Sequence, residues 1–197
     1  MPDLLEPSRT AVLLMDYQNG VIDRFAGTEP GLLARAAAAI STARSAGATV
    51  GYVRVALDPD EAAAVPATNK TFHAFAGRGS MGADDPATAV ADELAPREGD
   101  IVVRKTRVGA FSTTDLDLQL RERGIDTLVL GGISTSGVVL STVRDAADRD
   151  YRLVLLQDLC VDRDEEVHRV LLTKVFPRQA DVVTSDRLAE LLAGATG

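Results

Sequence analysis

An acidic side chain and a lysine follow two apolar runs of the sequence, where strands of a parallel sheet would end. Asp16 comes directly after the apolar run 11–15, and Lys105 comes shortly after the run 101–103. A carboxyl at the end of a buried strand is partly desolvated, which raises its pKa and suits it to proton transfer. Lys105 can pair with Asp16, hold its charge or bind an anionic substrate. The ordinary alternatives are a capping or loop aspartate and a solvated lysine.

A turn of small residues, 131–137, follows another apolar run and leads into a helical pattern. Backbone N–H groups at the start of a helix attract anions, so this turn could hold a substrate oxyanion. A plain strand-to-helix turn is the ordinary alternative. Because open parallel sheets bind ligands beyond the carboxyl ends of their strands, we expect the turn to meet Asp16 and Lys105 at one edge.

The elements that would position these residues alternate along the chain. Apolar runs rich in Val, Leu and Ile, without strict alternation of polarity, predict strands that are covered on both faces. Helical spacing of apolar residues fills the segments between them, as over 33–40, which Gly47 can close. The strand runs are 11–15, 50–56, 101–103, 128–130, 153–156 and 182–183. This alternation predicts an α/β protein with a parallel sheet and helices on both faces.

The segment 58–86, rich in Ala, Gly, Pro and Asp, is too long for a routine connection. Long loops in compact domains tend to be lids or binding loops. We therefore expect this segment to contribute to a ligand site.

Length and charge narrow the class of protein. A chain of 197 residues can bury a sizeable core, and we expect one domain over 1–197 with its core at about 10–192. The net charge of -8 and the absence of a Lys/Arg-rich run argue against a nucleic-acid partner. No apolar run could span a membrane, and residues 1–8 do not have the pattern of a signal peptide. We expect a cytoplasmic protein without a membrane partner.

The sequence does not indicate a metal or a cofactor. The two histidines, His73 and His168, are far apart, and no His-x-x-x-His or Cys-x-x-Cys spacing is present. Residues 16–20, after the first strand run, lack the Gly-x-Gly-x-x-Gly pattern of a dinucleotide fold. We predict no metal and no cofactor, and a small molecule as the ligand.

The order and spacing of these features resemble the isochorismatase-like hydrolases, or cysteine hydrolases, over nearly the whole chain. An apolar strand followed by Asp-x-Gln is matched at 13–18, which places Asp16 and Gln18 in the motif. A strand-end lysine followed by an aromatic residue and Thr-x-Leu is matched by Lys105, Phe111 and 114–116. The resemblance implies a three-layer α/β/α fold whose six-stranded, mostly parallel sheet has the Rossmann-like order 3-2-1-4-5-6.

The third family motif, Gly-hydrophobic-x-Thr-x-x-Cys, is matched from Gly132 to Thr135, but the family cysteine falls at Val138. A valine cannot attack a carbonyl, which argues against covalent amide hydrolysis. Isochorismatase-type members can lack the cysteine and hydrolyse a vinyl ether by protonating it, after which water adds. By this resemblance, Asp16 is the general acid/base and Lys105 is the partner that tunes it.

The resemblance also implies a set of substrate contacts, a cis peptide bond between Ile133 and Ser134, and a homodimer or larger homo-oligomer. The implied substrate- or oxyanion-binding residues are Gln18, Phe111, Ile133, Ser134, Thr135 and Gly137. Four arginines are candidate anion contacts, although a surface charge is the more ordinary interpretation of each. They are Arg54, Arg78, Arg104 and Arg107.

Two alternatives remain open at this stage. One is an amidase with another nucleophile, although Ser136 and Ser141 only flank the family position and Cys160 is better interpreted as a buried structural thiol. The other is a non-catalytic binding or assembly protein of the same fold. A closed pocket that holds Asp16 within hydrogen-bond reach of Lys105 would favour an enzyme, and a pocket filled by side chains would favour the non-catalytic protein.

Overall fold

Six strands form one sheet in the computed structural model, which describes residues 3–25, 29–77 and 81–193. They are β1 (Thr10–Met15), β2 (Thr49–Val55), β3 (Ile101–Lys105), β4 (Thr127–Ile133), β5 (Arg152–Val161) and β6 (Asp181–Val183). Their order is β3-β2-β1-β4-β5-β6, and every neighbouring pair is parallel. The predicted six-stranded sheet and its strand order are confirmed.

Helices cover both faces of this sheet. The α-helices of the described residues are α1 (Asn19–Phe25), α2 (Leu32–Ala46), α3 (Pro59–Ala63), α4 (Lys70–Ala76), α5 (Leu116–Glu122), α6 (Leu140–Asp148), α7 (Glu165–Val170) and α8 (Leu188–Leu191). One core cluster contains buried side chains of α2 and α8, and the other contains those of α5 and α6. The predicted helix that Gly47 closes is α2, where Gly47 takes a left-handed φ of 82°.

The central strand β1 shows why the strand runs lack alternating polarity. Leu13 and Met15 pack into one core cluster, whereas Val12 and Leu14 pack into the other. All the residues of β1 are buried, because helices cover both faces of the strand. This arrangement leaves the carboxyl end of β1 as the point where a polar side chain can follow.

Strand β5 is longer than the sequence predicts. The apolar run stops at Gln157 and Asp158, but pairing with β4 resumes beyond them, where Cys160 lies opposite Gly132. The register shifts between Leu130 and Gly132 to accommodate the extra residues of β5. Cys160 therefore lies within the strand, although the predicted strand run 153–156 ends before it.

The segment 58–86 contains α3 and α4 and packs on the end of the sheet. Phe72 of α4 and Val65 join Val55 and Leu57 in a small separate cluster. Residues 78–80 of this segment, including the candidate anion contact Arg78, lie outside the described residues. The long connection is thus partly helical, and its apolar side chains anchor it near the end of β2.

The close approach of β4 to β5 makes Gly131 a sensitive position. A Cβ atom on Gly131 would lie 2.9 Å from Leu159 Cβ and 3.2 Å from the Leu159 carbonyl oxygen. We expect Gly131→Ala to lower the free energy of unfolding by about 1–3 kcal/mol, because the backbone of β5 must shift. Urea unfolding measures this loss. Gly82→Ala is the control, because among the described residues its Cβ would meet only Asp58 Oδ1, at 3.6 Å. An equal loss in both variants would contradict the packing argument.

Candidate active site

Asp16 and Lys105 form an ion pair at the carboxyl edge of the sheet. Asp16 directly follows β1, where its φ is 60° and its N–H donates to the Val53 carbonyl oxygen at 2.7 Å. Lys105 is the last residue of β3, and β2 lies between β3 and β1. Two strand spacings amount to about 10 Å, so a long side chain is needed to cross them. Lys105 Nζ lies 3.0 Å from Asp16 Oδ2.

This pair is almost completely removed from solvent. Asp16 is 7% exposed and Lys105 is 2% exposed. Burial raises the pKa of the Asp16 carboxyl, and the Lys105 ammonium offsets part of that rise. Lys105 Nζ also donates to the Arg107 carbonyl oxygen at 3.2 Å. The ammonium is therefore held between a carboxylate and a carbonyl.

The second carboxylate oxygen of Asp16 is buried, and no described residue donates a hydrogen bond to it. A buried acceptor without a donor is costly, and such groups are rare in folded proteins. A hydrogen-bond donor on a bound small molecule would therefore be stabilised at Asp16 Oδ1.

Asp16 and Lys105 line a cavity of about 300 Å³. This volume lies at the lower end of the range for small-molecule sites. Four other residues singled out in the sequence share the lining, and all lie in or just after β4. They are Ile133, Ser134, Gly137 and Val138. The Ile133–Ser134 peptide bond is cis.

The remaining predicted contacts lie outside this lining. The Gln18 amide is buried and bonds the backbone of Val55 and Thr88 at 2.8 Å, so it ties β2 to the chain before α1. Thr135 is fully buried, with its hydroxyl 2.8 Å from His168 Nδ1. Phe111 belongs to a core cluster and stacks on Tyr151. These side chains are occupied within the protein, and the structure does not bring them to the cavity.

The backbone amides of the turn 131–137 are also partly occupied. Asp162 Oδ2 accepts from the Ser136 N–H at 2.7 Å, while the Ser134 carbonyl accepts from Gly137 and Val139. The pKa of Asp162 is lowered, because the hydrogen bonds from Ser136 and neighbouring backbone amides outweigh the effect of burial. The Ser136 amide is therefore not open to an oxyanion, which corrects part of the expectation for this turn.

None of the three candidate arginines within the described residues lines the cavity. Arg54 donates to the carbonyls of Ala83 and Thr88, and Arg104 pairs with Glu61 at 2.6 Å. Arg107 lies over the Phe72 ring, 5.6 Å from its centroid. These guanidinium groups attach the segment 58–86 to the sheet.

Several cavity residues were missed by the sequence reasoning. Arg24 and Val21 come from α1, whereas Thr71, Phe72 and Phe75 come from α4. The α4 residues lie in the segment 58–86, whose length had indicated a lid or binding loop. Asp162 and Arg163 directly follow β5 and would have been found if the strand had been predicted to its full length. For Arg24, nothing in the sequence gave a signal.

The cysteine and the flanking serines do not line the cavity. Cys160 is 2% exposed, and burial raises the pKa of its thiol to about 12. Ser136 and Ser141 are likewise absent from the lining. The interpretation of Cys160 as a buried thiol agrees with its place in β5.

Metal-binding clusters and membrane-spanning helices are absent from the part of the chain that the structure describes. Within residues 3–25, 29–77 and 81–193, no group of three His, Cys, Asp or Glu side chains is arranged to hold a metal ion. In that part of the chain, no helix is long and apolar enough to cross a membrane.

Comparison with known proteins shows the family to which the chain belongs. The sequence model of the isochorismatase domain matches residues 10–187, so the chain belongs to the isochorismatase family. It is 34% identical to the uncharacterized isochorismatase family protein YwoC of Bacillus subtilis, over 92% of this chain and 93% of that protein. It is 33% identical to the ureidoacrylate amidohydrolase RutB of Methylobacterium radiotolerans, over 88% of this chain and 76% of that enzyme.

Solved structures agree with this assignment. The fold is similar to that of N-carbamoylsarcosine amidase from Thermoplasma acidophilum, with a TM-score of 0.75 and 32% sequence identity. The similarity covers 90% of this chain and 97% of that one. The family thus includes relatives named as amidohydrolases.

The ion pair predicts a pH-dependent loss of stability in Lys105→Met. Without the ammonium, the pKa of Asp16 rises further above its ordinary value of 3.8. A carboxyl whose pKa is raised on folding costs little when it is protonated and most when the pH exceeds its folded pKa. We expect a loss that grows from pH 5 to pH 8 and reaches about 3–5 kcal/mol, measured by urea unfolding.

Two further variants complete this experiment. Lys174→Met changes an exposed lysine, and we expect it to have little effect at either pH. The double variant Asp16→Asn/Lys105→Met removes both charges, so we expect it to recover most of the loss. A Lys105→Met deficit that is equal at pH 5 and pH 8 would contradict a charged Asp16.

Proposed function

We propose that this protein is a small-molecule hydrolase in which Asp16 is the general acid/base, Lys105 is its partner and no cysteine nucleophile takes part. One observation carries the proposal. A buried carboxyl with a raised pKa lines a cavity, and it keeps one oxygen without a partner among the described residues. Groups with perturbed pKa values in clefts are candidates for proton transfer.

Hydrolysis of a vinyl ether is the reaction that needs the fewest catalytic groups from the protein. Asp16 in its acid form donates a proton to the carbon of the enol ether, which leaves an oxocarbenium ion. Water adds to that ion and returns a proton to the carboxylate, and the hemiketal then separates into a ketone and an alcohol. The Lys105 ammonium, 3.0 Å from Oδ2, stabilises the carboxylate between the two proton transfers.

The residue at position 138 supports a route without a covalent intermediate. Val138 is 2% exposed and lines the same cavity as Asp16, and by the resemblance of the motifs it takes the position of the family cysteine. The only cysteine of the chain, Cys160, is not in the lining. Water is therefore the nucleophile in this proposal.

Amide hydrolysis is the second candidate, because a relative with 33% identity is named an amidohydrolase. Asp16 would then act as a base toward water, or the hydroxyl of Ser134 or Thr71, both in the lining, would attack. Ammonia release that is lost in Asp16→Asn would favour the route through water, whereas ammonia release that survives in Asp16→Asn and is lost in Ser134→Ala or Thr71→Ala would favour attack by a hydroxyl.

We expect Asp16→Asn to lower turnover of an enol ether by about 10²–10⁴-fold, the usual contribution of general acid–base catalysis. The assay follows pyruvate release from isochorismate and simpler enol ethers, and ammonia release from a panel of small amides. Asp150→Asn is the matched control, because Asp150 also has a positive φ, of 64°, but is exposed.

The outcome of this assay separates the proposal from a non-catalytic protein. Pyruvate release that is lost in Asp16→Asn and kept in Asp150→Asn supports acid catalysis. Activity that is equal in the two variants would remove Asp16 from the mechanism, and absence of turnover across the panel would favour a binding role.

The thiol chemistry supplies a separate prediction. We expect iodoacetamide to leave the native protein unlabelled and to label Cys160 only after unfolding, because a buried thiol with a pKa near 12 forms little thiolate. In Val138→Cys, the new thiol would line the same cavity as Lys105, so we expect labelling of the folded variant, measured by intact mass. Labelling of the native wild-type protein that stops hydrolysis would instead support a cysteine mechanism.

A further inference from the structure

The net charge of the cavity lining is opposite in sign to the net charge of the whole chain. The chain carries a net charge of -8. The lining contains the acids Asp16 and Asp162 and the cations Arg24, Lys105 and Arg163, which leaves it one positive charge in excess. A cavity with the opposite sign to the rest of the protein concentrates ligands of negative charge.

Most of these charges already have partners. Lys105 pairs with Asp16 at 3.0 Å, and Asp162 accepts hydrogen bonds from the amides of Ser136, Arg163 and Asp164. Arg24, by contrast, forms no hydrogen bond or ion pair with a residue that the structure describes. Arg163 also interacts within the protein. Among the described residues of the lining, Arg24 is therefore the cation whose guanidinium a ligand can bind.

The position of Arg24 sets how such a ligand would lie. Arg24 is on α1, which begins three residues after Asp16, and it lies about 8 Å along that helix from its first residue. Asp16 Oδ1, buried and without a donor, marks the reacting end of the cavity. Apolar side chains, among them Phe72, Phe75 and Val108, line the space with them. A molecule that satisfies these groups has a hydrogen-bond donor or basic atom, a short apolar middle and an anionic end.

We propose that Arg24 is a specificity-determining residue and that it selects small molecules with a carboxylate as the substrates of this site. The statement that such molecules are substrates rests on the proposed function, whereas the statement that they bind through Arg24 does not. Arg24 is exposed, and its guanidinium can bind a carboxylate through two parallel hydrogen bonds, which fix the orientation of the ligand. The cavity volume of about 300 Å³ limits the ligand to a small one.

The test compares carboxylates with neutral amides of the same shape. Crotonate and crotonamide form one pair of probes, and benzoate and benzamide form the other; binding is measured by isothermal titration at one ionic strength. We expect the wild-type protein to bind at least one carboxylate about tenfold more tightly than its amide, since a charge-assisted hydrogen bond contributes more than a neutral one. Arg24→Gln should abolish this preference, and Arg24→Lys should retain part of it.

Arg169→Gln is the matched control, because Arg169 is an exposed arginine on a helix and does not line the cavity. It changes the net charge equally and should keep the carboxylate preference. A wild-type protein without a preference for either carboxylate, or a preference that survives in Arg24→Gln, would overturn the inference. Because these titrations need no turnover, they stand apart from the Asp16→Asn assay. Asp16→Asn can lose hydrolysis while Arg24 proves irrelevant, and carboxylates can bind through Arg24 in a protein that hydrolyses nothing.

Discussion

The burial of two opposite charges beyond the ends of β1 and β3 is the interaction on which the rest of the site depends. Asp16 and Lys105 come from strands that are not neighbours, and they meet only because β2 holds them in one sheet. Either charge alone would be costly in this position. The sheet must therefore be complete before the cavity acquires its chemistry, and the apolar strands do more than fill the core. They fix the separation that a lysine, but not a shorter side chain, can cross.

The sequence was sufficient to predict the sheet and the pairing of Asp16 with Lys105, because both leave strong local signals. Strands covered on both faces appear as uninterrupted apolar runs, and a charged residue directly after such a run is conspicuous. Strand β5 shows the limit of this reasoning, because Gln157 and Asp158 interrupt its apolar run although pairing continues to Val161. Because the predicted strand ended too early, Asp162 was not recognised as a residue that follows a strand. A hydrogen bond that joins residues 136 and 162 depends on the three-dimensional arrangement, which no local pattern records.

The cavity residues that come from helices are harder to predict than those that follow a strand. Val138 and Ser134 were found because they lie at a strand-to-helix turn, where chemistry is expected. Arg24 and Phe75 come from short helices, and only the length of the segment 58–86 pointed to the second of them. Residues such as Gln18 show the reverse problem. A motif placed its amide at the site, but all of its hydrogen bonds in the structure go to backbone groups that hold the chain around Asp16.

The make-up of the lining has a consequence for the conditions under which such a site could operate. No cysteine or methionine is found among the lining residues that the structure describes. The sulfur atoms that peroxide attacks most readily, as thiolate or thioether, are therefore absent from this surface, and Cys160 is held as a thiol inside β5. A thiol hydrolase stops when its nucleophile is oxidised to a sulfenic or sulfinic acid. In the proposed function, the reacting groups are a carboxylate and an ammonium, and neither is oxidised in this way.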